Sequence, residues 1–167
     1  MPSIHISKEL NAGAYFLTFT VKKWYHIFDR HNRWNIIADS LQFCREHKDL
    51  KIHGFVLMLN HIHIIAESPN ISDFVRDFKR HTSREIHKNI LATEPMIEKL
   101  FIGSDGKFAI WQDTNMPIFL ESENVFLQKL NYVHENPVRK NYVAYAEYWY
   151  WSSANEECEL KPDDVNE

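Results

Sequence analysis

Hydrophobic and polar positions alternate from residue 14 to 21. Tyr15, Leu17, Phe19 and Val21 fall on one side, and Phe16, Thr18 and Thr20 on the other. A period of two in aromatic and β-branched residues predicts a strand. From 33 to 47 the period changes: Trp34, Ile37, Ala38, Leu41 and Cys44 recur at helical spacing with charges opposite, which predicts a first helix. Residues 52–58 and 61–67 read as two further strands joined by a tight turn near Leu59 and Asn60. Pro69-Asn70-Ile71-Ser72 ends that hairpin, and Ser72 is placed to cap a second helix carrying Val75, Phe78, Thr82 and Ile86 on its apolar side. A loop containing Pro95, Gly103 and Gly106 is expected over 91–106, and one or two short strands within 107–120. Ser122 opens a last long helix through Phe126, Leu127, Leu130 and Val133. Pro137 is expected to limit it, because the residue before a proline is pushed out of helical geometry. The aromatic-rich stretch 142–154 is expected to pack against the body.

Strand, helix, strand, strand, helix, strand is the split βαβ order of the ferredoxin-like fold. The expected class is therefore α+β: a ferredoxin-like antiparallel sheet with helices on one face and an additional C-terminal helix. No repeat or linker interrupts the chain, so residues 1–154 are expected to form a single domain. Fold alone assigns no chemistry.

Composition fits that picture and removes some alternatives. With 167 residues, 44% hydrophobic and 25% charged, the chain is long enough to bury a core. Its apolar runs are too short to span a bilayer, and Met1-Pro2-Ser3-Ile4-His5 lacks the charged and apolar regions of a leader. The expectation is a soluble, cytoplasmic protein with no membrane partner. Cys44 and Cys158 have neither metal-type spacing nor the density of a disulfide scaffold, so both read as plain thiols. The net charge of -4 argues against a nucleic-acid partner until its distribution is considered. Residues 155–167 hold six acids, Glu156, Glu157, Glu159, Asp163, Asp164 and Glu167, against Lys161 alone. That end reads as an acidic, solvated, disordered tail, which leaves the body slightly basic.

The basic charge concentrates on the second helix, at Arg76, Lys79, Arg80, His81, Arg84, His87 and Lys88. A solvated helix face is the plain reading of such a run. A more specific signal lies in Leu57-Met58-Leu59-Asn60-His61-Ile62-His63-Ile64-Ile65. Side chains i and i+2 of a strand share a face, so His61 and His63 converge while Ile62, Ile64 and Ala66 fill the core side. Two imidazoles on a rigid strand are candidate metal ligands, although by themselves a half-buried histidine pair is the plainer reading. On the last helix, Tyr132 and Asn136 are four residues apart and so share a face. A packed tyrosine and a capping asparagine would explain these two alone.

Taken together, the Met-x-Asn-His-Ile-His-Ile-Ile stretch, Tyr132-Val133-His134-Glu135-Asn136-Pro137-Val138 and the late Tyr150-Trp151-Ser152-Ser153-Ala154 resemble the HUH-type single-tyrosine transposases of the insertion sequence 200-like family, closest to the REP-associated tyrosine transposase branch. Tyr15-Phe16-Leu17-Thr18-Phe19, Phe78-Lys79-Arg80-His81-Thr82 and Trp111-Gln112 extend the resemblance over about residues 12–154. The departures are Leu59, where proline is common, and Asn115-Met116-Pro117, where aromatic and basic residues are common.

The resemblance implies a ferredoxin-like fold, single-stranded DNA with a hairpin near the cleavage point, and a 5′-phosphotyrosyl intermediate. By the same resemblance His61, His63 and Asn136 are the ligands of a divalent metal and Tyr132 is the nucleophile. Two imidazoles and an amide oxygen leave positions open, which suits Mg²⁺ or Mn²⁺ better than a closed zinc site. A phenol is a poor nucleophile at neutral pH, so positive charge or a base must assist it. Arg76, Lys79, Arg80, Arg84 and Lys88, with Arg139 and Lys140, are then expected to follow the DNA backbone. A homodimer is left open. The competing expectation is a domesticated protein that binds DNA hairpins without productive cleavage.

Overall fold

The hydrophobic alternation of the first segment becomes strand β1 (Ala14–Thr20), which ends up inside a four-stranded sheet. Helix α1 (Arg33–His47) follows, then β2 (Lys51–Leu57), β3 (His61–Glu67), α2 (Ile71–Thr93), the short β4 (Ile118–Phe119) and α3 (Glu123–Arg139). This computed structural model describes residues 13–113 and 117–163. The readings that fall on Met1 to His5, on Asn115 and Met116, and on the last four residues lie outside them.

The sheet order is β2-β3-β1-β4, and each of the three pairings is antiparallel. That is the ferredoxin-like arrangement expected from the element order. Because side chains alternate across a sheet, one face presents Tyr15, Leu17, Phe19, Ile52, Phe55, Leu57, Ile62, Ile64 and Ala66 to α1 and α2, forming the main core. The other face carries Phe16, Val56 and Ile65, which make a smaller cluster with Met58, Leu120 and Val133 of α3. Helices α1 and α2 share one face, as expected, and the additional helix α3 covers the other.

Several boundaries differ from the sequence expectation for identifiable reasons. Asn70, not Ser72, caps α2: its Oδ1 accepts from the Asp73 N–H at 3.1 Å, so the helix begins at Ile71. The apolar period then continues through buried Ile86 and Ile90 to Thr93, and Pro95 opens a 3₁₀ turn over Pro95–Phe101 where a loop was expected. Pro137 does not end α3. A proline deletes one i→i−4 bond, and the next turn is retained because the Lys140 N–H donates to the Asn136 carbonyl at 3.1 Å. The 107–120 region supplies the two residues of β4 and isolated bridges at Trp111 and Phe108.

The C-terminal stretch closes the sheet edge. Leu57 N–H donates to the Trp151 carbonyl and Ser153 N–H to the Phe55 carbonyl, at 2.8 and 3.0 Å, which covers β2. The indole N–H groups of Trp34 and Trp149 donate to the Met58 and Leu57 carbonyls. The acidic end does not behave as a solvated tail over its described part: Cys158 and Leu160 are buried, and Asp163 pairs with Arg45 at 3.1 Å and accepts from the Ile52 N–H. Its charges sit outside while two apolar residues at i, i+2 turn inward. Both cysteines are free and buried, as plain thiols would be.

Candidate metal centre and tyrosine

His61 and His63 stand on the α3 face of β3, opposite Thr20 and Thr18 of β1. Both are buried, and their rings lie 4.8 Å apart at 74°. Ile62 and Ile64, fully buried on the reverse side, hold the strand from behind. One turn of α3 presents Tyr132 and Asn136 to the same place. The Tyr132 ring lies 5.6 Å from His63 and 5.9 Å from Phe16, while Asn136 is buried beside His61.

The hydrogen bonds set the orientation of each imidazole. Asn60 Nδ2 donates to the Trp24 carbonyl at 3.0 Å, an oxygen that can only accept. Asn60 Oδ1 therefore faces His61 Nδ1 as acceptor at 2.8 Å, so Nδ1 carries the proton and Nε2 keeps its lone pair. His63 Nδ1 is engaged by the Thr18 hydroxyl at 2.9 Å, which holds the orientation of its ring. Burial lowers the His61 pKa from 6.5 to about 4; Lys140 and His26 add to the shift and Asn136 opposes it. Burial likewise takes His63 down to about 3, reinforced by His61, Arg139 and Lys129. Both rings are neutral at neutral pH, the state a ligand needs.

Asn136 Oδ1 is buried with no hydrogen-bond partner among the described residues. An orphaned amide oxygen is costly, and here it belongs to a residue that packs against the neutral His61. The donor set of two nitrogens and one amide oxygen fits a divalent cation with open positions. Among the described residues no group of three His, Cys, Asp or Glu gathers as an alternative metal site.

Tyr132 is 42% exposed. The Arg139 guanidinium stacks over its ring at 4.1 Å and donates to its backbone carbonyl at 2.8 Å, and the Lys129 ammonium lies 5.5 Å from the ring. Lys129 was missed in the sequence, although its place three residues before Tyr132 on a helix would have found it. Placement also depends on Gly54. A Cβ there would lie 2.5 Å from Leu130 Cδ1, so the missing side chain lets α3 seat closely on β2.

The basic residues of α2 land elsewhere. Their helix packs on the opposite face of the sheet. Arg76 is tied to Asp73 and Asp77, and Lys88 to Glu85. Lys79, Arg80 and Arg84, with Lys107 and the stacked pair His87 and Phe108, line a groove of about 490 Å³. This groove is linked to the strand pair that carries the histidines: Lys79 Nζ donates to the Gln112 carbonyl, Gln112 N–H donates to the Thr20 carbonyl, and Thr20 pairs with His61. Arg139 and Lys140 are the expected cations that stand at the histidines and tyrosine.

Another surface feature had no sequence signal. Lys23 and Trp24 adopt left-handed backbone, φ 56° and 59°, and the Trp24 indole projects 6.4 Å from His61. Each such residue costs about 1–2 kcal/mol.

Among the described residues no helix is long and apolar enough to cross a membrane. No curated protein matches the chain. Among solved structures, a REP-associated tyrosine transposase bound to a REP hairpin superposes with a TM-score of 0.71 at 16% identity, covering 100% of this chain and 94% of that one. A candidate transposase from Deinococcus radiodurans R1 gives a TM-score of 0.49 at 17% identity, over 81% and 95% of the two chains. The first likeness establishes the fold. The model of the IS200-like transposases matches residues 10–109, a segment that contains His61 and His63 and stops short of Tyr132. With more than half of its length matched, the chain belongs to the IS200-like transposase family.

Proposed function

We propose that the protein is a metal-dependent endonuclease and strand transferase for single-stranded DNA, working through a 5′-phosphotyrosine at Tyr132. The observation that carries this reading is the buried, orphaned Oδ1 of Asn136, a residue that packs against His61 one helical turn from an exposed tyrosine. His61, His63 and Asn136 would hold a divalent cation, Mg²⁺ or Mn²⁺, whose chemistry at that place is Lewis-acid polarisation of a phosphate oxygen.

The chain's own groups do the rest. Tyr132 Oη attacks phosphorus, the O–P bond to tyrosine forms, and the bond from phosphorus to the 3′ oxygen breaks. The phenolic proton passes to solvent and the departing 3′ oxygen takes one up, so charge balances. Arg139 and Lys129 flank the ring and offset negative charge on the attacking oxygen and the phosphate. A phosphotyrosyl ester keeps the energy of the broken phosphodiester, so a second 3′ hydroxyl reverses the step and joins strands. Because the solved relative holds a REP hairpin, we assign a hairpin beside the cleavage point as the recognised feature. The groove lined by Lys79, Arg80, Arg84 and Lys107 would carry flanking backbone away from the site.

The test mixes the protein with single-stranded oligonucleotides from hairpin-containing sequences flanking its own gene, with Mn²⁺, and resolves products on a denaturing gel. A protein-DNA adduct that vanishes in Tyr132→Phe is the expected result. A gel shift without any adduct, unchanged by Tyr132→Phe, would replace this reading with hairpin binding alone.

A further inference from the structure

Four of the five tryptophans are built into the fold. Trp111 donates its indole N–H to Thr82, Trp34 and Trp149 donate theirs to backbone carbonyls, and Trp151 is buried. Trp24 is the exception at 59% exposed. Its exposure is imposed by the backbone. Val21 before it and Ile27 and Phe28 after it are buried, and the Val21, Ile27 and Phe28 N–H groups all donate to carbonyls of the Leu59-Asn60 turn. Between these anchors the chain takes two consecutive left-handed residues, held by Trp24 N–H on the Val21 carbonyl and Asn60 Nδ2 on the Trp24 carbonyl, both at 3.0 Å. Strain in a non-glycine turn that throws a large apolar ring into solvent beside a reactive site points to a ligand for that ring.

We propose that the Trp24 indole is a stacking platform for a nucleobase adjoining the scissile phosphate. Three features select that occupant. The ring stands 6.4 Å from His61, so its ligand sits beside whatever His61 and Tyr132 act on. Lys22 and Lys23 precede it and form no ion pair among the described residues, which leaves two ammonium groups for phosphates next to a base. An indole face accepts any base without hydrogen-bond readout, which suits a single strand whose bases are unstacked. Asn60 links platform and metal centre, since one amide holds the Trp24 carbonyl and the His61 ring together.

This inference rests on the proposed action on single-stranded DNA, and the experiment separates the two. Adduct formation is followed against oligonucleotide concentration for wild type, Trp24→Ala and Trp24→Phe. The substrates are intact strands and strands with one abasic site at each nucleotide flanking the cleavage point. A platform predicts that Trp24→Ala raises the half-saturating concentration about tenfold with little change in maximal rate. Trp24→Phe should recover most of that loss. One abasic position should weaken wild type by a similar factor and leave Trp24→Ala unaffected. Stabilisation by Mn²⁺ should be unchanged in Trp24→Ala, because the backbone carbonyl that orients Asn60 remains.

Equal saturation by wild type and Trp24→Ala overturns the platform while the nuclease reading stands. Abasic effects that all add to the Trp24→Ala defect overturn it too, as does loss of the Mn²⁺ response in that variant. A wild type that neither binds nor forms adducts with any strand removes both.

Discussion

Against α1 and α2 the sheet presents an aromatic and aliphatic surface in which Phe19, Phe78 and Trp111 interlock at ring separations of 5.0 to 6.4 Å. Against α3 the same strands present Phe16, Val56 and Ile65 and then, along the same rows, Thr18, His61 and His63. Strand β3 serves both: Ile62 and Ile64 face one way and the two imidazoles the other. The comparison shows how a polar site is held rigid without a polar scaffold. Burial of the isoleucines fixes the strand, and alternation passes that fixity to the histidines. Deletions on the helical face should therefore remove stability and spare chemistry, and deletions on the α3 face should do the reverse.

Phe78→Ala is the largest expected blow to stability. Phe78 is buried among Phe19, Phe74 and Trp111. Truncation should cost about 3–5 kcal/mol and lower Tm by roughly 10 °C. Adduct yield per folded molecule, measured well below the transition, should match wild type. A specific loss of adduct at full folding would break the division between the faces.

The converse variant is His61→Ala. Saturating Mn²⁺ at about a hundred times Kd should stabilise wild type by about 2.7 kcal/mol. His61→Ala should melt near wild type without metal and gain nothing from it. His63→Ala and Asn136→Ala should behave alike, and a retained Mn²⁺ response in all three would place the metal elsewhere.

Much of this division was legible because it is local. Period two located β1, β2 and β3, helical spacing located α1 and α3, and the His pair and the Tyr132 to Asn136 spacing each lie within one element. What was missed depends on contacts distant in sequence. Nothing near Arg33 announces that it is fully buried, bonded to Asn89, Glu94 and the Ile27 carbonyl so that α1 is tied to the end of α2. The burial of Cys158 and Leu160 was hidden by the surrounding acids, and the Trp24 turn has no period to detect. Pro137 misled because a proline removes one helical bond without forbidding the turn that follows.

A smaller effect comes from pH. Unfolded histidine titrates near 6.5, whereas His61 and His63 stay neutral down to about 4 and about 3. Below 6.5 the unfolded chain binds protons that the folded chain refuses, so stability falls with pH through that window and is whole above it. Between pH 7 and 5.5 the pair should remove about 2 kcal/mol. The double variant His61→Gln, His63→Gln should flatten that part of the profile in denaturant titrations. A profile equally steep in the variant would assign the loss to other groups.

The finest test concerns the seam between the α3 helix and the sheet. Gly54 is where β2 and α3 meet, with the register of β2 shifted between Ile52 and Gly54 and Leu130 filling the space a side chain would take. Gly54→Ala forces Leu130 aside, and because the clash is with the end of a flexible side chain the cost should be only about 1 kcal/mol. Leu130 is two residues from Tyr132, so the same push should lower the adduct rate severalfold, more than the stability change explains. Adding Leu130→Ala makes room, and the double variant should recover rate relative to Gly54→Ala even as Tm falls further. Additive losses in both quantities would mean that the Gly54 contact contributes packing alone, and that the Tyr132 position is set by the α3 contacts with Phe16 and Val56 instead.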